Sequence, residues 1–341
     1  MRVLLVKTSS LGDLIHTFPA LTDAAAARPD ITFDWLVEEP FAEVPAWHPA
    51  VDKVIPIAFR RWRRQWRKAW RSGQLTAFWR QLRESEYDLV LDAQGLYKSA
   101  FPAMLARGRR AGFAVRSARE ALSAWTYHRR YQVVRQQHAI TRLRQLFAAA
   151  LDYPMPDTPV DYGLRLSHVR DAQVRRLVLL HGTTWPSKHW PEPYWAELAH
   201  IAIDQGFEVA LPWGDPDDRL RAERIISAAG GGELLPRLSL TELAQRLAAA
   251  DGVVGVDSGL AHLAAAVGTP AITLYGPTRT ELTGAMGPRQ RNLAVDFPCA
   301  PCMRRECDYT GASDVRPACF ATLDPSKVFA LLCEQMETAA A

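Results

Sequence analysis

Four short stretches of this chain combine residue types that do chemistry with spacing that lets them act together. The first is KTSSLGDLIH, Lys7 to His16, where an apolar run hands over to leucines and alanines at helical spacing and Asp13 falls at the junction. Ser10-x-x-Asp13 has capping-box spacing, and a carboxylate suits the positive end of a helix, so a cap is the reading these ten residues support by themselves. Neither G-x-G-x-x-G nor G-x-x-x-x-G-K-[ST] is present there, which sets aside the two common phosphate loops. The second stretch, DSGLAHLAAA from Asp257, ends a strand and starts a small-residue helix at once. Free amides around Ser258 and Gly259 form an anion site in which a diphosphate would fit, with His262 one turn further in; an ordinary Asp/Ser cap with His262 packed is the alternative.

The third stretch, HGTTWPSKHW from His181, sets Thr183, Thr184 and Lys188 before a proline-started helix. Two hydroxyls and an ammonium are suitable donors to phosphate oxygens, and Lys188 would neutralise leaving-group charge, unless it is a solvated loop lysine. In the fourth, PWGDPDD, Asp217 and Asp218 either accept hydrogen bonds from ribose hydroxyls or cap a helix over 219–228.

These loops need elements to hold them, and apolar strands alternate with helical segments through both halves of the chain. The pattern predicts strands RVLLVK, ITFDWLVEE, KVIPIA and YDLVLDAQG with a weaker fifth over 110–114, then RRLVLLHG, FEVALPWG, GVVGVDSG and PAITLYGPT. That is the signature of parallel sheets covered by helices: an α/β protein of two doubly wound, Rossmann-like domains facing across a cleft on which the four loops converge. A helix over 136–151 and a Pro- and Asp-rich linker over 152–165 separate the halves. The expected domains are 1–155, 156–322, and a C-terminal helix over 323–341 that packs back toward the first.

The chain has 341 residues and a formal charge of +4, unevenly placed. Residues 1–150 carry 24 Lys and Arg against 13 Asp and Glu, a surplus of 11, whereas residues 151–341 carry 17 against 24, a deficit of 7. The basic half is expected to face an anionic partner: a nucleic acid, an anionic membrane or an acidic glycolipid. Its densest stretch is FRRWRRQWRKAWR, in which Trp62, Trp66 and Trp70 recur every four residues as one face of a helix and arginines can pair bidentately with carboxylates and phosphates. No nucleic-acid module is recognisable, so no nucleic-acid partner is expected. No apolar run spans a membrane and no signal peptide is evident, so a cytosolic protein is expected. Cys299, Cys302, Cys307 and Cys319 are spaced C-x2-C-x4-C-x11-C, which allows a structural four-thiolate zinc knot or free thiols, with catalysis independent of either.

KTSSLGDLIHTFPALTDA, DWLVEEPFAEVPAWHP, VIPIAFRRWRR, DAQGLYKSA, HGTTWPSKHWP, LPWG, DSGLAHLAAA and LYGPT together resemble the bacterial ADP-heptose:lipopolysaccharide heptosyltransferases, glycosyltransferase family 9, in order over most of residues 1–285. The first four blocks are similar to the heptosyltransferase I branch. The resemblance implies a GT-B fold and metal-independent, inverting transfer of L-glycero-D-manno-heptose from ADP-heptose to the first Kdo of Kdo2-lipid A, at the inner face of the inner membrane. It implies Asp13 as general base, and Thr183, Thr184, Lys188, Ser258, Gly259 and His262 on the diphosphate; Ser10 and Gly12, with Arg60, Arg61, Arg63 and Arg64 of the basic stretch, are the expected acceptor contacts. Asp257 would shape the turn or hold the heptose, Asp218 the ribose and Leu238 the adenine. Cysteines at these positions are a departure from the simplest family members. A heptosyltransferase II with a heptose acceptor, or a non-catalytic binder of anionic lipid or nucleic acid, are the competing readings.

Overall fold

The strands form where apolar runs can be buried on both faces, as in Val3, Leu4, Leu5 and Val6, none of which is exposed. The computed structural model describes residues 1–167 and 173–340. The chain divides into Met1–Arg165 and Leu166–Ala341, ten residues beyond the expected boundary. The first unit holds β1 (Arg2–Val6), β2 (Thr32–Glu38), β3 (Val51–Ile57), β4 (Glu86–Asp92), β5 (Arg107–Phe113) and β6 (Arg129–Tyr131). Their order is β3-β2-β1-β4-β5-β6 and every pairing is parallel. The order reverses between β1 and β4, so a crevice opens at the carboxyl ends of these two strands.

Helices α1 (Leu11–Ile15), α2 (Phe18–Ala27), α3 (Phe59–Arg64), α4 (Trp66–Arg71), α5 (Gln74–Arg83), α6 (Tyr97–Leu105) and α7 (Ala139–Leu151) complete the first unit. The single tryptophan-faced helix expected over the basic stretch is instead two short helices. They break at Gln65, whose φ of −133° and ψ of 43° are not helical. Trp62 packs edge-on against Phe78, 5.3 Å between centroids, while Trp66 and Trp70 are exposed. The break rotates the later tryptophans off the core, so they make no common buried face.

The Pro- and Asp-rich segment 152–165 is held against the first unit. Tyr153 and Tyr162 are buried, and Arg165 donates its N–H to the Trp47 carbonyl at 3.0 Å. Gly163 has φ of +60°, and a Cβ there would come within 2.5 Å of Thr22 Oγ1 and 2.7 Å of His48 Nε2, so only glycine allows the approach. Arg144 of α7 makes the attachment specific: its guanidinium pairs with both oxygens of Asp23 on α2, at 2.5 and 3.2 Å, and donates to the carbonyls of Pro156 and Thr158.

The second unit repeats the plan with β7 (Arg176–Leu180), β8 (Glu208–Leu211), β9 (Glu233–Leu234), β10 (Gly252–Val256), β11 (Ala271–Tyr275) and β12 (Gln290–Ala294), in the order β12-β11-β10-β7-β8-β9. Its order reverses between β7 and β10. The helices are α8 (Glu192–Asp204), α9 (Pro216–Ala229), α10 (Leu240–Ala249), α11 (Gly259–Ala266), α12 (Thr280–Thr283) and α13 (Pro325–Ala340). The C-terminal helix α13, expected to return toward the first half, has packing partners in the second unit: α8, β10 and β11, with Val328, Phe329 and Leu332 in that core.

Arg144 and Asp23 are only 8% and 10% exposed, so either charge left alone is a buried charge without a partner. Arg144→Leu is expected to lower the unfolding free energy of the first unit by about 3–5 kcal/mol, as for other broken buried pairs. Urea denaturation checks this, and a loss under about 1 kcal/mol would place the pair with exposed ones.

Candidate active site

The carboxyl end of β1 is clamped before it turns into α1. Trp35 Nε1 donates to the Lys7 carbonyl at 2.9 Å, and the Gln94 side chain accepts from the Thr8 N–H and hydroxyl, both at 2.8 Å, while donating to the Ser9 carbonyl. Gln94 is placed in turn by Asp92, the buried last residue of β4, which accepts from the N–H groups of Gln94 and Gly95 and from the Ser99 and Tyr127 hydroxyls. Gly95 has φ of +68° in that turn. The block DAQGLYKSA therefore holds the first loop in place.

Held this way, Ser10 becomes the N-cap of α1, Gly12 lies buried inside it, and Asp13 sits at its third position. Asp13 accepts from the Ser10 N–H at 3.0 Å and hydroxyl at 3.2 Å, so the capping-box reading is correct as far as it goes. Its other oxygen faces two cations, Lys7 Nζ at 3.9 Å and Arg119 at 3.5 Å. Burial pushes the Asp13 carboxyl up, but Lys7, Arg119 and the Ser10 bonds outweigh it, and its pKa ends below the ordinary value. Burial acts the other way on Lys7, which falls to about 8 although Asp13 opposes the shift. A cap needs no such pair of cations; this carboxylate is kept ionised, oriented and one-fifth exposed. Arg119 was invisible as a partner because 106 residues separate it from Asp13.

The basic stretch follows β3. Glu38 caps α3 by accepting the Arg60 N–H at 2.7 Å. Arg60, Arg63 and Arg64 are exposed, but the Arg61 guanidinium is held bidentately by Glu39 at 3.0 Å on both arms and by Gln74 at 2.6 Å. Of the four expected anion contacts, Arg61 must therefore give up a partner to act as one.

In the second unit the loops after β7 and β10 meet. Lys188 Nζ lies 2.6 Å from Asp257 Oδ2, which also accepts from the Thr278 hydroxyl at 2.6 Å, and His262 Nε2 is 3.8 Å from the other oxygen. Thr183 donates to the Asp257 carbonyl at 3.4 Å, and Lys188 stacks over the Trp185 ring. Ser258 is the N-cap residue of α11 by position, yet its hydroxyl makes no cap bond and has no partner, so the amides of Gly259 and its neighbours remain open to an anion. The Ser258 cap of the alternative reading of DSGLAH is absent, while His262 is buried as that reading has it. Thr278 was missed, although it closes the LYGPT block.

Neither Asp217 nor Asp218 caps α9. Asp215 does, accepting both of their N–H groups at 3.0 Å. This leaves the Asp218 carboxylate against Gly182, where a Cβ would lie 2.9 Å from Oδ2. Burial and then Asp215 raise the Asp218 pKa above its ordinary value. Leu238 is half-buried immediately before the α10 cap Ser239, and Thr184 is exposed.

Among the described residues, no three or more His, Cys, Asp or Glu side chains are grouped to hold a metal ion. Cys299, Cys302, Cys307 and Cys319, whose spacing allows a zinc knot or free thiols, are free thiols outside any such group. Cys319 is fixed in the core beneath Gly276, while Cys299 and Cys307 stay exposed on the preceding loop. Burial pushes the Cys319 thiol up to about 12, and the nearby Cys299, Cys307 and Cys302 add to the rise. The same loop also supports its neighbour, which its sequence gave no reason to expect. Ser187 donates its N–H to the Arg305 carbonyl at 3.1 Å and its hydroxyl to the Arg304 carbonyl at 2.6 Å. The cysteine segment thus braces the turn that carries Lys188.

Residues 75–312 match glycosyltransferase family 9 (heptosyltransferase). The chain is 51% identical over 340 residues to lipopolysaccharide heptosyltransferase 1 of Pseudomonas aeruginosa, covering 96% of each. It is 47% identical over 294 residues to lipopolysaccharide heptosyltransferase 1 of Escherichia coli K12, covering 85% of this chain and 92% of that one. Among solved structures, E. coli heptosyltransferase WaaC with ADP superposes with a TM-score of 0.86 at 41% identity, covering 98% of this chain and 100% of that one. E. coli heptosyltransferase II, at 21% identity and a TM-score of 0.78, shares the fold. The two six-stranded Rossmann-like units are those of an α/β, GT-B-like fold, and the chain belongs to glycosyltransferase family 9, the heptosyltransferases.

Proposed function

We propose that the chain is a lipopolysaccharide heptosyltransferase of the heptosyltransferase 1 type, moving L-glycero-D-manno-heptose from ADP-heptose to the first Kdo of Kdo2-lipid A with inversion. Support for type 1 over type 2 comes from the relatives: 51% and 47% identity to the former over most of the chain, against 26% over 326 residues to lipopolysaccharide heptosyltransferase 2 of Salmonella typhimurium. The observation that carries a catalytic reading over a mere binder is the ionised Asp13, set between Lys7 and Arg119 at the switch point of the first unit.

In this reading the first unit handles the acceptor. Asp13 accepts the proton of the attacking Kdo hydroxyl as its oxygen bonds to the anomeric carbon and the bond to the ADP oxygen breaks. Ser10 holds the carboxylate. Arg60, Arg63 and Arg64 receive Kdo carboxylates and lipid phosphates, joined by Arg61 if Glu39 releases it. The second unit handles the donor. Lys188 leaves Asp257 for the diphosphate, the amides of Ser258 and Gly259 take the remaining charge with Thr183, Thr184 and His262, and Asp218 accepts from the ribose; Leu238 packs on adenine. The cationic work falls to Lys188 and the α11 amides, so no metal is required. The positive surplus of the first half and exposed Trp66 and Trp70 support peripheral contact with the anionic inner face of the inner membrane.

Two measurements test this. Mass spectrometry of deacylated Kdo2-lipid A incubated with ADP-heptose should show one added heptose, undiminished in excess chelator. No addition, or addition to a heptose-bearing acceptor alone, would overturn the assignment. Asp13→Asn should lower kcat by roughly 10²–10⁴, the usual size of general-base catalysis. ADP affinity should stay within a few-fold, because no donor contact is assigned to the first unit. A kcat within tenfold of wild type would leave Asp13 a helix cap.

A further inference from the structure

An open groove of about 460 Å³ in the first unit is lined by Phe59, Leu96, Tyr97, Lys98, Phe101 and Glu120. It has no part in the reaction as derived above. Its two charged residues are already committed to protein partners. Glu120 accepts the Tyr97 N–H at the start of α6, and Lys98 Nζ donates to the Ser9 hydroxyl, both at 2.5 Å. What remains for a ligand is apolar wall, yet that wall is open to water: Phe59 is 36%, Tyr97 50% and Phe101 55% exposed. Leu122 and Trp125, on the neighbouring turn packed against α6, are 55% and 70% exposed. Large aromatic side chains left outside around a concave surface mark a binding site for something apolar.

The charges around the groove say what the apolar ligand carries. Lys98 reaches the loop of Asp13 through Ser9, and it feels Arg60, Glu38, Asp13 and Arg119 as its electrostatic neighbours. Lys98, on the groove's lining, therefore stands one hydrogen bond from the loop that carries the candidate base, with Arg60 and Arg119 as its cationic neighbours. A ligand that is anionic at one end, apolar along its length, and presents a hydroxyl to Asp13 satisfies all three features. We infer that the groove receives an acyl chain of the phosphorylated glycolipid acceptor, with Arg60 and Arg119 toward its anionic head. This rests on the acceptor assignment made above and extends it from the sugar to the lipid.

The test uses the full chain and two acceptors, Kdo2-lipid A with its acyl chains dispersed in detergent, and the same molecule fully deacylated. Each buried methylene contributes about 0.8 kcal/mol, roughly fourfold in affinity. Phe101→Ser, which removes the middle of one wall, should therefore raise the KM of the acylated acceptor by about tenfold or more. The KM of the deacylated acceptor, and kcat with it, should stay within twofold, which also shows that the variant is folded. An equal rise for both acceptors, or no rise for either, would overturn the groove assignment. So would a matching loss of binding to anionic vesicles lacking the acceptor, because the groove would then dock on a bilayer. Wild-type failure to transfer to the deacylated acceptor would instead sink the proposed function itself.

Discussion

The arrangement of the first unit turns on one constraint: a lysine and an aspartate that are both largely out of water must share their charges. Lys7 follows a strand whose last four side chains, Val3 to Val6, are wholly buried, and its ammonium has the Ala93 carbonyl at 3.1 Å and Asp13 at 3.9 Å for partners. Each carries a desolvation penalty that the other reduces. The pairing fixes where α1 must start, because Asp13 has to lie within reach of a side chain six residues earlier. The Trp35, Gln94 and Asp92 contacts serve to hold that short loop in the one path that allows it.

The second unit solves the same problem with the roles exchanged. There the carboxylate, Asp257, ends the strand, and the lysine, Lys188, arrives on the loop from the neighbouring strand. In both units the pair lies where the strand order reverses, between β1 and β4 or between β7 and β10. Loops leaving those strands diverge to opposite faces of the sheet, which leaves an opening that backbone amides and side chains can line. The difference between the pairs fits their proposed roles. Asp13 keeps two cations and stays exposed on one side, as an acceptor of protons requires. Asp257 is buried and neutralises Lys188, which in the proposed reaction exchanges it for a diphosphate.

Much of this was legible because the informative signals are local. Strand runs such as RVLLVK and GVVGVDSG are apolar on both faces, and the loops that follow them break the pattern with Ser, Gly, Asp and Thr. Strands β6 and β12 are hidden in the sequence since RRY and QRNLA are polar edge strands, recognisable only from the neighbour they pair with. The same reason hides Arg119 and Thr278, whose partners lie 106 and 21 residues away. The stretch FRRWRRQWRKAWR misleads because a four-residue tryptophan period assumes an unbroken helix, and one residue, Gln65, breaks it. The cysteine spacing allowed a zinc knot or free thiols and gave no sign of the backbone carbonyls of that segment that hold Ser187, because carbonyl contacts leave no trace in side-chain identity.

The central claim is that Asp13 acts as an ionised base at ordinary pH, and the pH dependence of kcat/KM for heptose transfer to the deacylated acceptor tests it most directly. A carboxyl held below its ordinary value is protonated only at lower pH, so the base form is lost on the acid side and later than usual. The account predicts a rate that is level through neutral pH and falls only below about pH 4, the ordinary range of an aspartate, with that acid limb absent in Asp13→Asn. An acid limb between about pH 5 and 7, where histidines titrate, persisting in Asp13→Asn, would assign the proton transfer to another group and contradict it.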